Sequence, residues 1–143
     1  MNTALKFENT DSISILSKQH QKDGAIIATG LKSFFEVGLA LMRIRKNKSY
    51  KEVDGYNTFE DYYRDKWDIS SEQAYRLIRA AKLIDNLSAV GEIFPETENQ
   101  CRPLAWLKPQ EQREVWQMVT SSGEKITSKL IEKMVLQFLL GKA

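Results

Sequence analysis

The chain is poor in the residues that enzymes and metal proteins most often use. Among its 143 residues there is one cysteine, Cys101, and one histidine, His20, which excludes an internal disulfide and argues against a His/Cys metal cluster. A lone cysteine suits a reducing compartment, and we expect Cys101 to be a half-buried, inert thiol. Neither the G-x-x-x-x-G-K-[ST] nor the G-x-G-x-x-G phosphate-binding motif occurs. We therefore expect no cofactor, no metal and no enzymatic activity.

Long apolar runs are also missing. No stretch approaches the roughly 20 apolar residues that a membrane helix needs. The first residues, MNTALKFENTD, lack the basic segment and apolar core of a signal peptide. Residues 1–21 are polar, and we expect a flexible leader there, or a short arm that docks on the domain or on a partner. The predicted location is the cytoplasm, away from membranes.

The composition and spacing that remain predict a helical protein. Hydrophobic residues make up 42% and charged residues 28% of the chain, which is typical of a globular protein. An apolar stripe with three- and four-residue spacing begins after Asp23, and helical patterns recur over 58–87 and 96–141. No segment reads as a strand. The predicted fold is an all-α, multi-helix bundle, with one domain over residues 22–143.

Residues 58–87 carry the most informative pattern. Thr58 is placed to cap a short helix, and Ser70 begins a second helix with the capping-box partner Gln73 three residues later. Between the two helices lies a tight turn in which Ile69 is the expected buried anchor. This arrangement predicts a helix-turn-helix, in which the second helix enters the major groove of DNA.

The second helix has an apolar face and a charged face at about 100° per residue. The inward residues are predicted to be Ala74, Leu77, Ile78, Ala81 and Ile84. The outward residues are predicted to be Glu72, Tyr75, Arg76, Arg79 and Lys82. Long cations on an outward face suit phosphates and base edges.

Charge distribution adds to this hypothesis. The net charge is only +2, but residues 43–51 contain five cations and no acid. Such a run suits the negative end of a helix dipole, or contact with the DNA backbone, and the two roles are compatible.

The order of these signals resembles a known family. The segment FEDYYRDKWDISSEQAYRLIRAAKLIDNL resembles the helix-turn-helix of ParB-like partition proteins and their KorB-type relatives. The stretch that follows is similar to the next region of that family, with matching positions at Arg102, Leu104, Leu107, Gln112, Thr127, Ile131 and Val135. Partition proteins also carry a preceding nucleotide-binding domain with an arginine-rich motif, and no such motif stands in this chain. The resemblance implies sequence-specific binding of double-stranded DNA, by a transcriptional regulator or by a partition or replication accessory protein of a mobile element.

Individual roles follow from base and phosphate chemistry. Gln73 can pair with adenine and Arg76 with guanine, whereas Glu72 can accept from cytosine or complement the helix dipole. The other cations are expected at phosphates. The predicted DNA contacts are Arg43, Arg45, Lys46, Lys48, Ser70, Ser71, Gln73, Tyr75, Arg76, Arg79 and Lys82.

Three alternatives stay open. Residues 128–140 form an apolar helix that serves either as a homodimer interface or as core packing. The whole chain could instead be a small helical adaptor or inhibitor that binds another protein and no DNA. The aromatic residues of the first helix of the motif, Phe59, Tyr62, Tyr63 and Trp67, are expected in the core, with a single-strand stacking platform as the alternative.

Overall fold

The computed structural model describes residues 2–29 and 34–142, and it describes side chains over 12–27 and 34–142. Within these ranges the chain is all-helical, which confirms the predicted fold class. The helices are α1 (Asn2–Thr29), α2 (Phe34–Asn47), α3 (Ser49–Glu52), α4 (Phe59–Trp67), α5 (Ser71–Leu87), α6 (Glu98–Ala105), α7 (Pro109–Ser121) and α8 (Ser128–Lys142). Among the described residues, no helix has both the length and the apolar content that crossing a membrane would require.

The chain divides into two compact units, Met1–Ile78 and Arg79–Ala143. Helix α5 belongs to both, since the boundary falls after its second turn. This organisation differs from the single domain predicted over residues 22–143. The contacts of the chain are concentrated within each unit. The spacing of apolar residues predicts helices, but it does not predict which helices contact each other.

The prediction of a flexible leader over residues 1–21 is wrong, because α1 begins at Asn2 and continues to Thr29. This helix packs against α2 and α3. Its most buried described side chains are polar, since His20 and Asp23 are 3% and 1% exposed, and Ile27 adds an apolar contact with the core. A search for apolar spacing misses such a helix because hydrogen bonds and charge hold it in place. The apolar stripe after Asp23 was predicted to include Leu31 and to be interrupted at Gly30, and both residues lie outside the described residues.

The core of the first unit is built on aromatic rings. Tyr62 is fully buried, and its hydroxyl accepts a 2.9 Å hydrogen bond from the indole nitrogen of Trp67. Burial raises the pKa of Tyr62 to about 12, so it stays neutral. The buried cluster consists of Val37, Leu41, Ile44, Phe59, Tyr62, Tyr63, Ala74 and Ile78. The prediction that the aromatic residues of α4 belong to the core is confirmed for Phe59, Tyr62 and Tyr63, whereas Trp67 is half-buried and packs against the cluster.

The junction between α4 and α5 follows the predicted capping chemistry. The Thr58 hydroxyl accepts the backbone N–H of Asp61 at 3.0 Å, at the start of α4. Asp68 then takes a left-handed conformation, with φ of 52°, and ends α4. This conformation is more accessible to aspartate than to bulkier residues. The half-buried Ile69 packs against the core cluster, as the sequence predicted.

The second unit joins the end of α5 to α6, α7 and α8. Gln112 on α7 is the central connection: its amide nitrogen donates to the carbonyl of Leu104 at 3.1 Å, and its amide oxygen accepts from Asn86 at 2.8 Å. Thr127 caps α8 through the N–H of Leu130. The last helix was expected to span residues 128–140, with Gly141 as its terminator, but it continues through Lys142.

Candidate nucleic-acid interface

The entry to α5 is the best-defined part of the candidate interface. Ser70 accepts the backbone N–H of Gln73 on its hydroxyl oxygen at 3.1 Å, which confirms the predicted N-terminal cap. The side chains of Ser70 and Gln73 are exposed at this end. Because the first backbone N–H groups of a helix have no intrahelical acceptors, this end of α5 favours a negatively charged ligand.

Ser71 is held from behind by α4. Its hydroxyl oxygen accepts a 2.7 Å hydrogen bond from the Tyr63 hydroxyl and a 3.1 Å hydrogen bond from the guanidinium of Arg64. With these contacts made, the proton of Ser71 can still be donated to an acceptor such as a phosphate oxygen. The sequence did not indicate the role of Arg64, because its approach to Ser71 depends on the geometry of the turn.

Arg76 lies on the outward face of α5, as predicted. It pairs with Glu72 one turn earlier, and the two side chains are 35% and 66% exposed. A surface ion pair of this kind contributes only about 0–1 kcal/mol to stability. The Arg76 guanidinium is therefore held in place by an interaction that a base edge or a phosphate could replace at little cost.

Tyr75 connects the basic segment of α2 to α5. The guanidinium carbon of Arg45 lies 5.7 Å from the centroid of the Tyr75 ring, a cation–π contact. Lys46 and Lys48 are exposed nearby in the chain. Arg45 and Tyr75 therefore bring the predicted basic run and the outward face of α5 together within the first unit.

Arg43 has a different environment from the other predicted contacts. Its Nε and Nη2 atoms lie 2.9 Å and 2.7 Å from the same oxygen of Asp23. Asp23 is 1% exposed, so this carboxylate depends on the guanidinium for compensation of its charge. Arg43 therefore pairs within the protein and holds α1 to α2, and it does not belong to the candidate interface.

Arg79 and Lys82 belong to the second unit. The guanidinium carbon of Arg79 lies 4.6 Å from the centroid of the Trp106 ring, whereas Lys82 is exposed. The sequence analysis missed Trp106 because one aromatic residue at a helix end matches no motif.

A buried polar cluster was also missed. His20 Nδ1 lies 2.7 Å from Ser49 Oγ, and His20 Nε2 lies 2.5 Å from Asp54 Oδ2. These are the contacts of a hydrolytic triad. However, Ser49 is 2% exposed and His20 is 3% exposed, so a substrate has no access to the hydroxyl, and the cluster has a structural role.

Comparison with known proteins identified no relative of this chain. No protein-family model, no curated protein and no solved structure matches the chain. The resemblance to partition proteins therefore stays a prediction from the residues quoted above. Among the described residues, no group of three or more His, Cys, Asp and Glu side chains could hold a metal ion.

Proposed function

We propose that the first unit binds double-stranded DNA through α4 and α5 as a helix-turn-helix. In this proposal the start of α5 enters the major groove. Gln73 and Arg76 contact base edges, while Ser70, Ser71 and the three cations Arg45, Lys46 and Lys48 contact phosphates. The observation that carries the proposal is the Arg45–Tyr75 contact, with ring and guanidinium 5.7 Å apart. It joins the basic segment to the same face of α5 that carries Arg76.

The proposal covers two roles, that of a transcriptional regulator and that of a partition or replication accessory protein. Both require a protein that recognises a particular duplex sequence, and both are consistent with the resemblance to ParB-like proteins. The chain would act in the cytoplasm, without a cofactor and without catalysis. Its affinity would depend strongly on salt, because phosphate contacts release counterions from the duplex.

The test begins with selection of bound sequences from random duplexes at a stated salt concentration. Affinity for the selected duplex is then measured for the unaltered chain and for Arg76→Gln. Loss of a base-reading arginine is expected to cost about 1–3 kcal/mol and to relax specificity at one base position. Glu72→Gln is expected to keep or raise the affinity, because it releases Arg76 from its ion pair.

Arg102→Gln is the matched control. Arg102 pairs with Glu98 at the same four-residue spacing on a helix, at 2.6 Å, but it lies in the second unit. Its replacement is expected to leave DNA affinity unchanged. The proposal fails if no sequence is enriched, or if Arg76→Gln and Arg102→Gln bind the duplex as tightly as the unaltered chain.

We also propose that the chain forms a homodimer through α8, since a single helix-turn-helix reads few base pairs and paired half-sites are usual. Leu136, Leu139 and Leu140 are 58%, 46% and 66% exposed. Glu132 and Lys133 lie beside them on the same helix, so the surface carries both signs of charge and can complement a second copy of itself. The same leucines favour the alternative, a protein-interaction module without DNA binding, which predicts no effect of Arg76→Gln.

A further inference from the structure

Trp106 has the largest exposed fraction, 77%, among the large hydrophobic side chains that the structure describes. The other two tryptophans use their indole N–H groups inside the protein: Trp67 donates to Tyr62, and Trp116 donates to the carbonyl of Ile93. Trp106 ends α6 and presents most of its ring to solvent. Its indole face is therefore accessible to a ligand or partner that packs on an aromatic ring.

Arg79 gives this ring a defined chemical character. Its guanidinium carbon lies 4.6 Å from the centroid of the Trp106 ring. A guanidinium stacked in this way keeps the N–H groups at its edge for an anion. Four other arginines (Arg43, Arg64, Arg76 and Arg102) pair with carboxylates, whereas the described contact of Arg79 is with an aromatic ring.

Arg79 and Lys82 also line an open cavity of about 380 Å³. Two polar side chains of its wall, Asn86 and Gln112, are bonded to each other at 2.8 Å. Asp85 lies on the same wall, so the local charge suits one phosphate group better than a dense polyanion. The cations are therefore the groups best placed to meet a ligand, and the exposed indole lies next to one of them.

We propose that the second unit binds an unpaired nucleotide, with the base stacked on the free face of Trp106 and the phosphate on Arg79 and Lys82. An aromatic face beside a cation is the combination that single-stranded nucleic acids use, because every base has a π-face and every nucleotide has a phosphate. The source is a single strand or a free nucleotide. This site shares no residue with the duplex contact proposed for the first unit, so either proposal can fail without the other.

The experiment measures binding of labelled dT12 to the full chain by fluorescence anisotropy, beside the dT12·dA12 duplex and free dTMP as competitors. Trp106→Ala is expected to weaken dT12 binding about tenfold or more, as loss of a stacked base does. Trp106→Phe keeps an aromatic face and is expected to retain most of the affinity. Arg79→Gln and Lys82→Gln are each expected to weaken binding and to reduce its salt dependence.

Two control variants lie in the same unit. Ile93→Ala removes another exposed apolar side chain, 58% exposed, and Lys125→Gln removes an exposed cation between α7 and α8. Neither is expected to change dT12 affinity. Arg76→Gln, which tests the duplex contact, is also expected to leave dT12 affinity unchanged. Circular dichroism of each variant checks that the helices are intact.

The competitors identify the source of the nucleotide. Displacement of dT12 by dTMP, with the same dependence on Trp106, assigns a free nucleotide, and binding of dT12 without displacement assigns a strand; both support the proposal. It is overturned if Trp106→Ala binds dT12 as tightly as the unaltered chain, or if no dT12 binding is measured. It is also overturned if the duplex displaces labelled dT12 as well as unlabelled dT12 does and this displacement depends on Trp106.

Discussion

His20 and Asp54 lie 34 residues apart in the sequence, and His20 Nε2 is 2.5 Å from Asp54 Oδ2. An ionised carboxylate can only accept a hydrogen bond, so Nε2 donates to it. The other ring nitrogen faces the Ser49 hydroxyl at 2.7 Å. A single side chain of α1 therefore contacts both α3 and the turn that follows it.

The first prediction tests this contact. His20→Ala leaves the buried Ser49 hydroxyl and the Asp54 carboxylate without the ring, and a buried polar group without its partner costs about 1–3 kcal/mol. We expect the free energy of unfolding in urea to fall by that amount. Gln21→Ala, an exposed neighbour on α1, is the control and is expected to change stability by less than about 0.5 kcal/mol. Equal stabilities for the two variants would mean that His20 does not hold α1.

The second prediction concerns acid sensitivity. Burial alone would raise the pKa of Asp54, but hydrogen bonds from Lys66 and His20 outweigh it and lower that pKa below its ordinary value. A carboxyl group whose pKa is lowered by folding stabilises the folded state at any pH above the pKa that the group has in the unfolded chain, which is about 4. That contribution declines as the pH falls below about 4 and is lost once the pH has passed the folded pKa.

The measurement is urea unfolding between about pH 2 and pH 6, the range that spans ordinary carboxyl pKa values. Asp54→Asn should be less stable than the unaltered chain at the upper end, and the difference should shrink towards the acid end. Asp68→Asn replaces an exposed carboxylate at the end of α4 and should leave the pH dependence nearly unchanged. A constant difference between Asp54→Asn and the unaltered chain across this range would contradict the assignment.

The third prediction separates Arg43 from its neighbour Lys46. Arg43→Ala leaves the buried Asp23 carboxylate without its guanidinium, so we expect a loss of about 1–3 kcal/mol in the free energy of unfolding. Lys46→Ala removes an exposed cation and should change stability by less than about 0.5 kcal/mol. If the first unit binds DNA, Lys46→Ala should lower affinity and reduce the salt slope by about one. The assignment of Arg43 is wrong if its removal leaves stability unchanged.

These cases show which parts of the fold were readable from the sequence. The caps of the helix-turn-helix were: Thr58 and Ser70 make the predicted N-terminal hydrogen bonds. Each depends on residues within four positions of one another, and local geometry fixes such contacts. Four of the five residues predicted on the inward face of α5 are buried, Ala74, Ile78, Ala81 and Ile84, and the fifth, Leu77, is half-buried against the core. The buried face is wider than predicted, because Ala80, Leu83 and Leu87 are also buried.

Contacts distant in sequence could not be predicted. His20 was assigned to a flexible leader because its partners lie 29 and 34 residues away. Arg43 was grouped with the surface cations because the sequence does not reveal that Asp23, 20 residues earlier, is buried beside it. In the candidate interface, the spacing of residues along the helices predicted which side chains face outward. Which cations are already paired depends on tertiary packing.

The fourth prediction concerns Cys101, which is 1% exposed. Burial raises the pKa of its thiol to about 12, so almost no thiolate forms at neutral pH and the thiol should be inert. We expect no labelling by iodoacetamide at pH 7.5 in the folded protein and complete labelling in 6 M guanidinium chloride, roughly the concentration that unfolds even very stable domains. Rapid labelling of the folded chain would contradict the buried position, which is deeper than the half-buried one predicted.

The last prediction tests the proposed dimer. Helix α8 packs against α6 and α7, and near its C-terminal end Lys142 makes a 2.6 Å ion pair with Glu111, which also lowers the pKa of Glu111. The leucines on the outer face of α8 are therefore presented by an anchored helix. Leu136 and Leu140 lie one turn apart on this face, so two copies could pack these side chains against each other.

We expect the unaltered chain to sediment as a dimer at micromolar concentration, and Leu136→Glu with Leu140→Glu to sediment as a monomer. Two carboxylates at the centre of an apolar interface would have no partner, which disfavours association strongly. Ile13→Glu, at an equally exposed position on α1 (58%), should stay dimeric. A monomeric unaltered chain would exclude self-association through α8. A dimer that survives the double replacement would place the interface elsewhere. If the dimer reads paired half-sites, the double variant should also bind the selected duplex more weakly while keeping its response to Arg76→Gln.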